Sequence, residues 1–415
     1  MRRPETIERL YLDFDGFFAS VMQQVYPRLR GRPVGVVPFA GTQRTVVIAC
    51  SKEAKAAGCK NVMRVHDALE KCPDLVLAPQ EPDLYRRAHN ALVSEISAVI
   101  PVDAIKSIDE LTCVLDTGQR RDPESLAARI KQRIHRHVGR FITCSIGFAA
   151  NRQLAKIAGK QNKPDGVTVW RPEMMPEPLY RLAFDDIPGI GRRMERRLYG
   201  LGITTMEQLL ATQPKQMRKI WGNVTGERLW YALNGYDIQA QESRRAMFGH
   251  GRVLPPEARS LAGAREIARL LLIKAGRRLR REGYHAAGFH LYLAVHGGSW
   301  SRDLSLPAVN DDKAILSALA ALWARACREL PARITVYRVH VTLFRLTDAR
   351  FRQMDMLLDD DRERRKWEAV TGAMDRLNAR YSRTVVSLGL WNPPKGGHVG
   401  GKISYTRIPS ADDFW

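Results

Sequence analysis

"LYLDFDGFFASV", residues 10 to 21, starts as a buried strand and then breaks the pattern of one. Leu10, Leu12 and Phe14 alternate with Tyr11, Asp13 and Asp15, and Gly16 is followed by the aromatic pair Phe17 and Phe18. Burying a lone carboxylate costs several kcal/mol unless a metal or a cation sits opposite. The stretch therefore needs a partner for its acids, or it lies at a sheet edge with both carboxylates in water.

Composition limits the partner. The 66 Lys and Arg against 44 Asp and Glu leave a formal net charge of +22, the electrostatic footprint of a nucleic-acid binder. Anionic membrane is the rival, but neither end carries a strongly amphipathic basic segment, and no apolar run approaches the ~18 residues that span a bilayer. The first residues, MRRPETIERL, lack the apolar stretch of a secretory signal. Six cysteines occur with no CxxC pair, which argues against a zinc site or a disulfide framework and fits a reducing, cytoplasmic setting. A chain of 415 residues has room for two to four domains.

Apolar residues at helical spacing predict helices over 83–100 and 123–138, with β-rich runs "RLYLDF", "AIKSIDELTCVLD" and "RFITCSIGF" around them. This β-α-β-β-α-β order predicts a ferredoxin-like antiparallel sheet backed by two helices. Residues 17–79 are too long for a loop and read as an inserted subdomain. At 186–210, "DIPGIGRRMERRLYGLGITTMEQLL" reads as a helix-hairpin-helix: Gly189 and Gly191 form a turn whose N–H groups meet a phosphate, and Arg192, Arg193, Arg196 and Arg197 add charge. An ordinary turn is the plainer reading. Beyond 247 a second β-α-β-β-α-β unit follows, with "GFHLYLAVH" and "YRVHVTLF" as strands; Arg338 lies on the polar face of the second. The arginines of "GRRLRREG" (276–283) are either a solvated helix face or part of a nucleic-acid contact. "RTVVSLGLW" in the tail reads as a strand.

"SIDEL" places Asp109 and Glu110 side by side in a hairpin between two strands. Adjacent carboxylates are tolerable on a surface or beside a multivalent cation. In a ferredoxin-like sheet the first strand runs beside this hairpin, so Asp13 joins them and three carboxylates make a site for two Mg²⁺ ions about 4 Å apart. Triphosphate chemistry then needs basic groups, which "LAKIAGKQNKPDG" supplies as Lys163 and "CSKEAKAAG" as Lys52 and Lys55.

These motifs, with "PVGVV" and "SIGFAANRQLAKIAGKQNKPDG" in the same order, resemble the Y-family translesion DNA polymerases, in particular their DNA polymerase IV-like bacterial branch, over residues 7 to about 347. The resemblance implies an α+β, multidomain right-hand polymerase. Its expected parts are a palm (1–16 and 80–170), fingers (17–79), a helix-hairpin-helix thumb (171–235), a linker (236–246), a βαββαβ little finger (247–347) and a C-terminal extension (348–415). It implies Asp13, Asp109, Glu110 and the Phe14 carbonyl as metal ligands, Phe17 and Phe18 beside the nucleotide with Phe18 as steric gate against a 2′-OH, and Lys163 on the triphosphate. Expected partners are primer-template DNA, dNTPs and a sliding clamp, the last through "QMDMLL" with Gln353, Met356, Leu357 and Leu358; a monomer is expected. There are departures. Met22 stands where the family often has a Glu that braces the fingers, and Ala49, Lys52 and Lys55 replace a Thr, Tyr and Arg. A catalytically silent DNA-bound scaffold and a nucleotide cyclase are the rival readings; intact acids argue against the first, and the second has no use for the helix-hairpin-helix.

Overall fold

The computed structural model describes residues 1–38, 45–239, 245–351, 361–389, 408 and 410. The expected clamp peptide, Gln353 to Leu358, lies outside the described residues. The chain divides into two units, with the boundary after residue 241.

In the first unit the chain lays down β1 (Arg9–Phe14), α1 (Phe17–Val25), β2 (Val34–Val37), β3 (Ala49–Cys50), α2 (Lys52–Ala56), α3 (Val65–Lys71), β4 (Val76–Pro79), α4 (Pro82–Ser97), β5 (Val102–Ile105) and β6 (Glu110–Val114). It continues with α5 (Thr117–Arg121), α6 (Pro123–His137), β7 (Cys144–Ala149), α7 (Arg152–Gln161), β8 (Val167–Val169), α8 (Glu177–Tyr180), α9 (Arg192–Gly200), α10 (Met206–Leu210), α11 (Pro214–Trp221) and α12 (Val224–Leu233). The main sheet has the order β5-β6-β1-β7-β8, antiparallel except for the parallel β7–β8 pair. Its first four strands make two split β-α-β crossovers joined by the β5–β6 hairpin, which is the ferredoxin-like order. "RFITCSIGF" becomes a strand only from Cys144; before it the Phe141 N–H donates to Gln24, and Thr143 meets Asp15 through both its hydroxyl and its carbonyl.

Local signals explain the elements that hold this sheet. The Asp122 side chain accepts from the Ser125 N–H and Pro123 opens α6, whose Leu126, Ile130 and Ile134 are buried at four-residue spacing. Helix α7 lies hard against β7. A Cβ at Gly147 would sit 2.1 Å from the Ala155 carbonyl oxygen and 2.3 Å from the Gly159 nitrogen, so only glycine permits the approach. Between β1 and α4 the inserted residues form their own three-stranded sheet, β3-β2-β4, over a core that includes Val47, Val65, Ala68 and Leu75. Helices α9 to α12 bury Leu198, Leu209, Met217 and Leu233 in one core with Leu154 and Ile157 of α7.

The second unit contains β9 (Met247–Val253), α13 (Leu261–Arg281), β10 (Tyr284–Val295), β11 (Gly298–Val309), α14 (Asp312–Glu329), β12 (Val336–Asp348) and α15 (Asp361–Arg380). Its all-antiparallel sheet has the order β11-β10-β12-β9. This is again two split crossovers joined by a hairpin, but here the second and fourth strands are central, where the first and third are central in the other sheet. Phe289, Leu291, Leu293, Val339, Val341 and Leu343 are fully buried under α13 and α14, as their alternation predicts.

Two expectations about this unit fail. Of the arginines of "GRRLRREG", Arg277, Arg278 and Arg280 do not form a solvated face, while Arg281 is exposed. Arg280 donates to Asp312 (2.8 Å) and Asp375 (2.6 Å), Arg277 to Thr384 (3.1 Å) and Arg278 to the Gly249 carbonyl (3.3 Å), so the cluster is an interior joint between α13, α14 and α15. "RTVVSLGLW" forms no strand across its described residues. The buried Asn378 takes the N–H groups of Val385 and Val386 on its oxygen and donates to the Val386 carbonyl, which leaves the segment no ladder to join. Among the described residues no helix is long and apolar enough to cross a membrane.

Candidate active site

The register of the main sheet brings the acids together. Asp13 faces Glu110 across the β1–β6 pair, and the Phe14 N–H donates to the Asp109 carbonyl (2.9 Å), which ties the end of β1 to the β5–β6 turn. The Ser107 hydroxyl donates to the Asp109 carboxylate (2.5 Å). Three carboxylates and the carbonyl end of β1 thus share one corner of the sheet, all hard oxygen donors of the kind Mg²⁺ takes.

Their charge is balanced by lysines. Lys156 of α7 donates to both Glu110 oxygens, at 2.7 and 2.9 Å, and the Tyr11 hydroxyl donates to the same carboxylate at 2.9 Å. Lys163 pairs with Asp13. Burial, reinforced by the neighbouring Asp109 and Glu110, pushes Asp13 up to about 6 in spite of Lys163. Burial pushes Glu110 the same way, but Lys156 outweighs it and holds that carboxyl below its usual range. Desolvation, then the adjoining Glu110, raises Tyr11 and keeps it a hydrogen-bond donor. Burial and the charge of Lys156 depress Lys160, one turn further along α7. A cluster of acids whose mutual repulsion is offset by three lysines has the donor set and the charge to take divalent cations.

The sequence reading missed Lys156, Lys160 and Tyr11. A signal is present: in "LAKIAGKQNKPDG" the lysines recur at 156, 160 and 163, a basic stripe along one side of α7 and its exit.

Gly16 turns the chain from β1 into α1. Its φ is +54°, and a Cβ there would lie 2.7 Å from the Cys50 carbonyl, so the turn needs glycine both for conformation and for contact with β3. That contact sets the start of α2, with exposed Lys52 and Lys55, beside the turn; Ala49 is buried in β3. Phe18 stacks on Tyr85 of α4, rings 4.4 Å apart and 17° from parallel, with its outer face partly exposed. Phe17 differs from expectation. Its ring is core, 3% exposed and 5.7 Å from that of Phe14. The brace expected to be lost at Met22 is supplied by the next residue: buried Gln23 donates to Glu53 of α2 (3.0 Å) and to the Arg32 carbonyl (3.1 Å).

Gly189 has φ +109° and Gly191 caps α9, whose Arg192 and Arg193 are exposed. In the second unit Arg338 is exposed on β12, on the sheet face away from the helices.

Three family models match the chain: the impB/mucB/samB family over residues 12–160, the DNA polymerase-iota thumb domain over 185–237, and the impB/mucB/samB C-terminal domain over 245–356. DNA polymerase IV of Moorella thermoacetica is 34% identical over 390 residues, covering 91% of this chain and 94% of the relative. DNA polymerase IV 1 of Halalkalibacterium halodurans is 28% identical over 91% of this chain and 92% of its own length. A solved Y-family DNA polymerase chimera shares the fold with a TM-score of 0.69 and 23% identity, covering 82% of this chain and 99% of that one. With palm, fingers, thumb and little finger in order along its length, the chain belongs to the Y-family DNA polymerases, in their DNA polymerase IV-like branch.

Proposed function

We propose that this polymerase adds dNTPs to a primer 3′ end by two-metal nucleotidyl transfer and serves in copying past damaged template bases. The observation that carries the reading is the placement of Asp13 opposite Glu110, with Asp109 tied to the end of the same strand. Asp13, Asp109, Glu110 and the Phe14 carbonyl would hold two Mg²⁺ ions. When bound, these ions supply Lewis acidity that activates the primer hydroxyl and neutralises charge on the triphosphate.

The chain's own groups do the rest. Lys163 exchanges Asp13 for the triphosphate, and Lys52 and Lys55 add charge from the fingers. The Phe18 ring, backed by Tyr85, fills the space a 2′-OH would need. Exposed Arg192, Arg193 and Arg338 hold duplex phosphates without reading sequence. The "QMDMLL" peptide supports a sliding clamp as partner, on sequence alone.

Primer extension on undamaged and lesion-bearing templates tests the reading. Asp109→Ala or Glu110→Ala should slow extension by at least ~10³-fold while duplex binding persists, because transition-state charge stabilisation is lost. Near wild-type extension by either variant would refute the metal assignment, and no extension by the wild type while it binds duplex would favour a DNA-bound scaffold.

A further inference from the structure

The second carboxylate of the opening motif has no place among the metal ligands. Asp15 lies just past the end of β1, its side chain 8% exposed. Three donors converge on it: the Ser145 hydroxyl at 2.8 Å on one oxygen, and the Thr143 hydroxyl at 3.1 Å and the Asp165 N–H at 2.8 Å on the other. Lys163 Nζ stands 4.0 Å away. Two of these donors come from the edge of β7, but the third belongs to the loop that carries Lys163.

That loop needs holding. Asp165 adopts the left-handed region at φ +58°, which a non-glycine residue keeps only when its surroundings fix it. From the other side Lys131 of α6 bonds the Asp165 carbonyl and pairs with its carboxylate at 3.0 Å. Asp15 is the inner anchor and Lys131 the outer one. The two oxygens of a carboxylate have lone pairs enough to accept all three donors at once.

We propose that Asp15 is a positioning residue: through the Asp165 N–H it fixes the loop that aims Lys163 at the triphosphate. This rests on the reading of Lys163 given above. Asp15 touches neither nucleotide nor metal; its effect passes through the lysine.

Steady-state incorporation by Asp15→Ala, Lys163→Ala and the double variant tests this, together with hydrogen exchange of the Lys163, Asp165 and Gly166 amides. Asp15→Ala should raise the dNTP KM by roughly ten- to a hundredfold, the loss of one charge-assisted contact, with a smaller change in kcat. The double variant should be no worse than Lys163→Ala alone. Asp15→Asn, whose oxygen can still accept from Asp165 while its amide meets the Ser145 hydroxyl, should restore most of the KM. Exchange at the loop should quicken in Asp15→Ala and stay slow in Asp15→Asn. Asp15→Ser, too short to reach Asp165, replaces the alanine variant if that one does not fold. Multiplying effects in the double variant, or an unchanged KM in Asp15→Ala, would reduce Asp15 to a fold residue. If Lys163→Ala itself leaves KM unchanged, the triphosphate role of Lys163 fails, and the exchange measurement alone decides whether Asp15 holds the loop; unaltered exchange overturns the proposal.

Discussion

Phe18 owes its position to neighbours on both sides. Gly16 allows α1 to begin directly after β1, and Tyr85 fixes the ring plane from behind. Phe18→Ala should therefore open a pocket next to the sugar and lower rNTP:dNTP discrimination by about 10- to 100-fold, since exclusion by shape alone carries that much. Single-nucleotide incorporation with matched rNTP and dNTP checks this; unchanged discrimination would remove the gate from Phe18. Individual residues were legible where their chemistry was costly. Acids at Asp13 and Glu110 inside strands, with Asp109 in the turn beside them, call for cations, so they stood out. Lys156 and Gln23 did not, because a polar residue on an amphipathic helix reads as solvated until its partner, Glu110 or Glu53, is known to lie opposite.

Among the elements, α15 shows how a charged helix docks on its unit through polar groups. Arg280 bridges Asp312 of α14, 2% exposed, and Asp375 of α15, while the Asp312 N–H donates to the buried Thr371 hydroxyl of α15. Removing one partner of a buried pair leaves the other uncompensated, at a cost of about 3–5 kcal/mol. Asp312→Ala should thus lower the stability of the second unit by that order in a urea unfolding curve. Asp375→Ala should cost less, because its carboxylate is more exposed. Equal stability of Asp312→Ala and wild type would mean that Arg280 is satisfied without it. The helices and strands themselves were readable from period: α6 was expected over 123–138 and spans Pro123–His137. The α13 arginines were not, since their partners lie 32 and 95 residues away and no local pattern encodes such a meeting.

Across the whole molecule 66 Lys and Arg outnumber 44 Asp and Glu by 22, a positive surplus that favours a polyanion. Binding to duplex DNA should be indifferent to sequence and fall with salt, log K losing roughly 0.9 per phosphate contact on a log-salt axis. Arg338→Ala should flatten that slope by about one contact without changing sequence preference. Fluorescence anisotropy across a salt series reads both, and an unchanged slope would take Arg338 out of the duplex contact. The element order of both sheets was visible in the sequence. Their different strand orders were not, because pairing is decided by which strand each crossover returns to. The insertion between β1 and α4 also has a temporal consequence. Asp13 leaves the ribosome early, but its strand neighbours Glu110 and Ser145 are translated only after the fingers and α4. Since domains form as units during synthesis, the fingers can complete their own sheet while β1 waits with both edges unpaired. The nascent chain can therefore shape its inserted sheet before the acids of the main sheet meet at their corner.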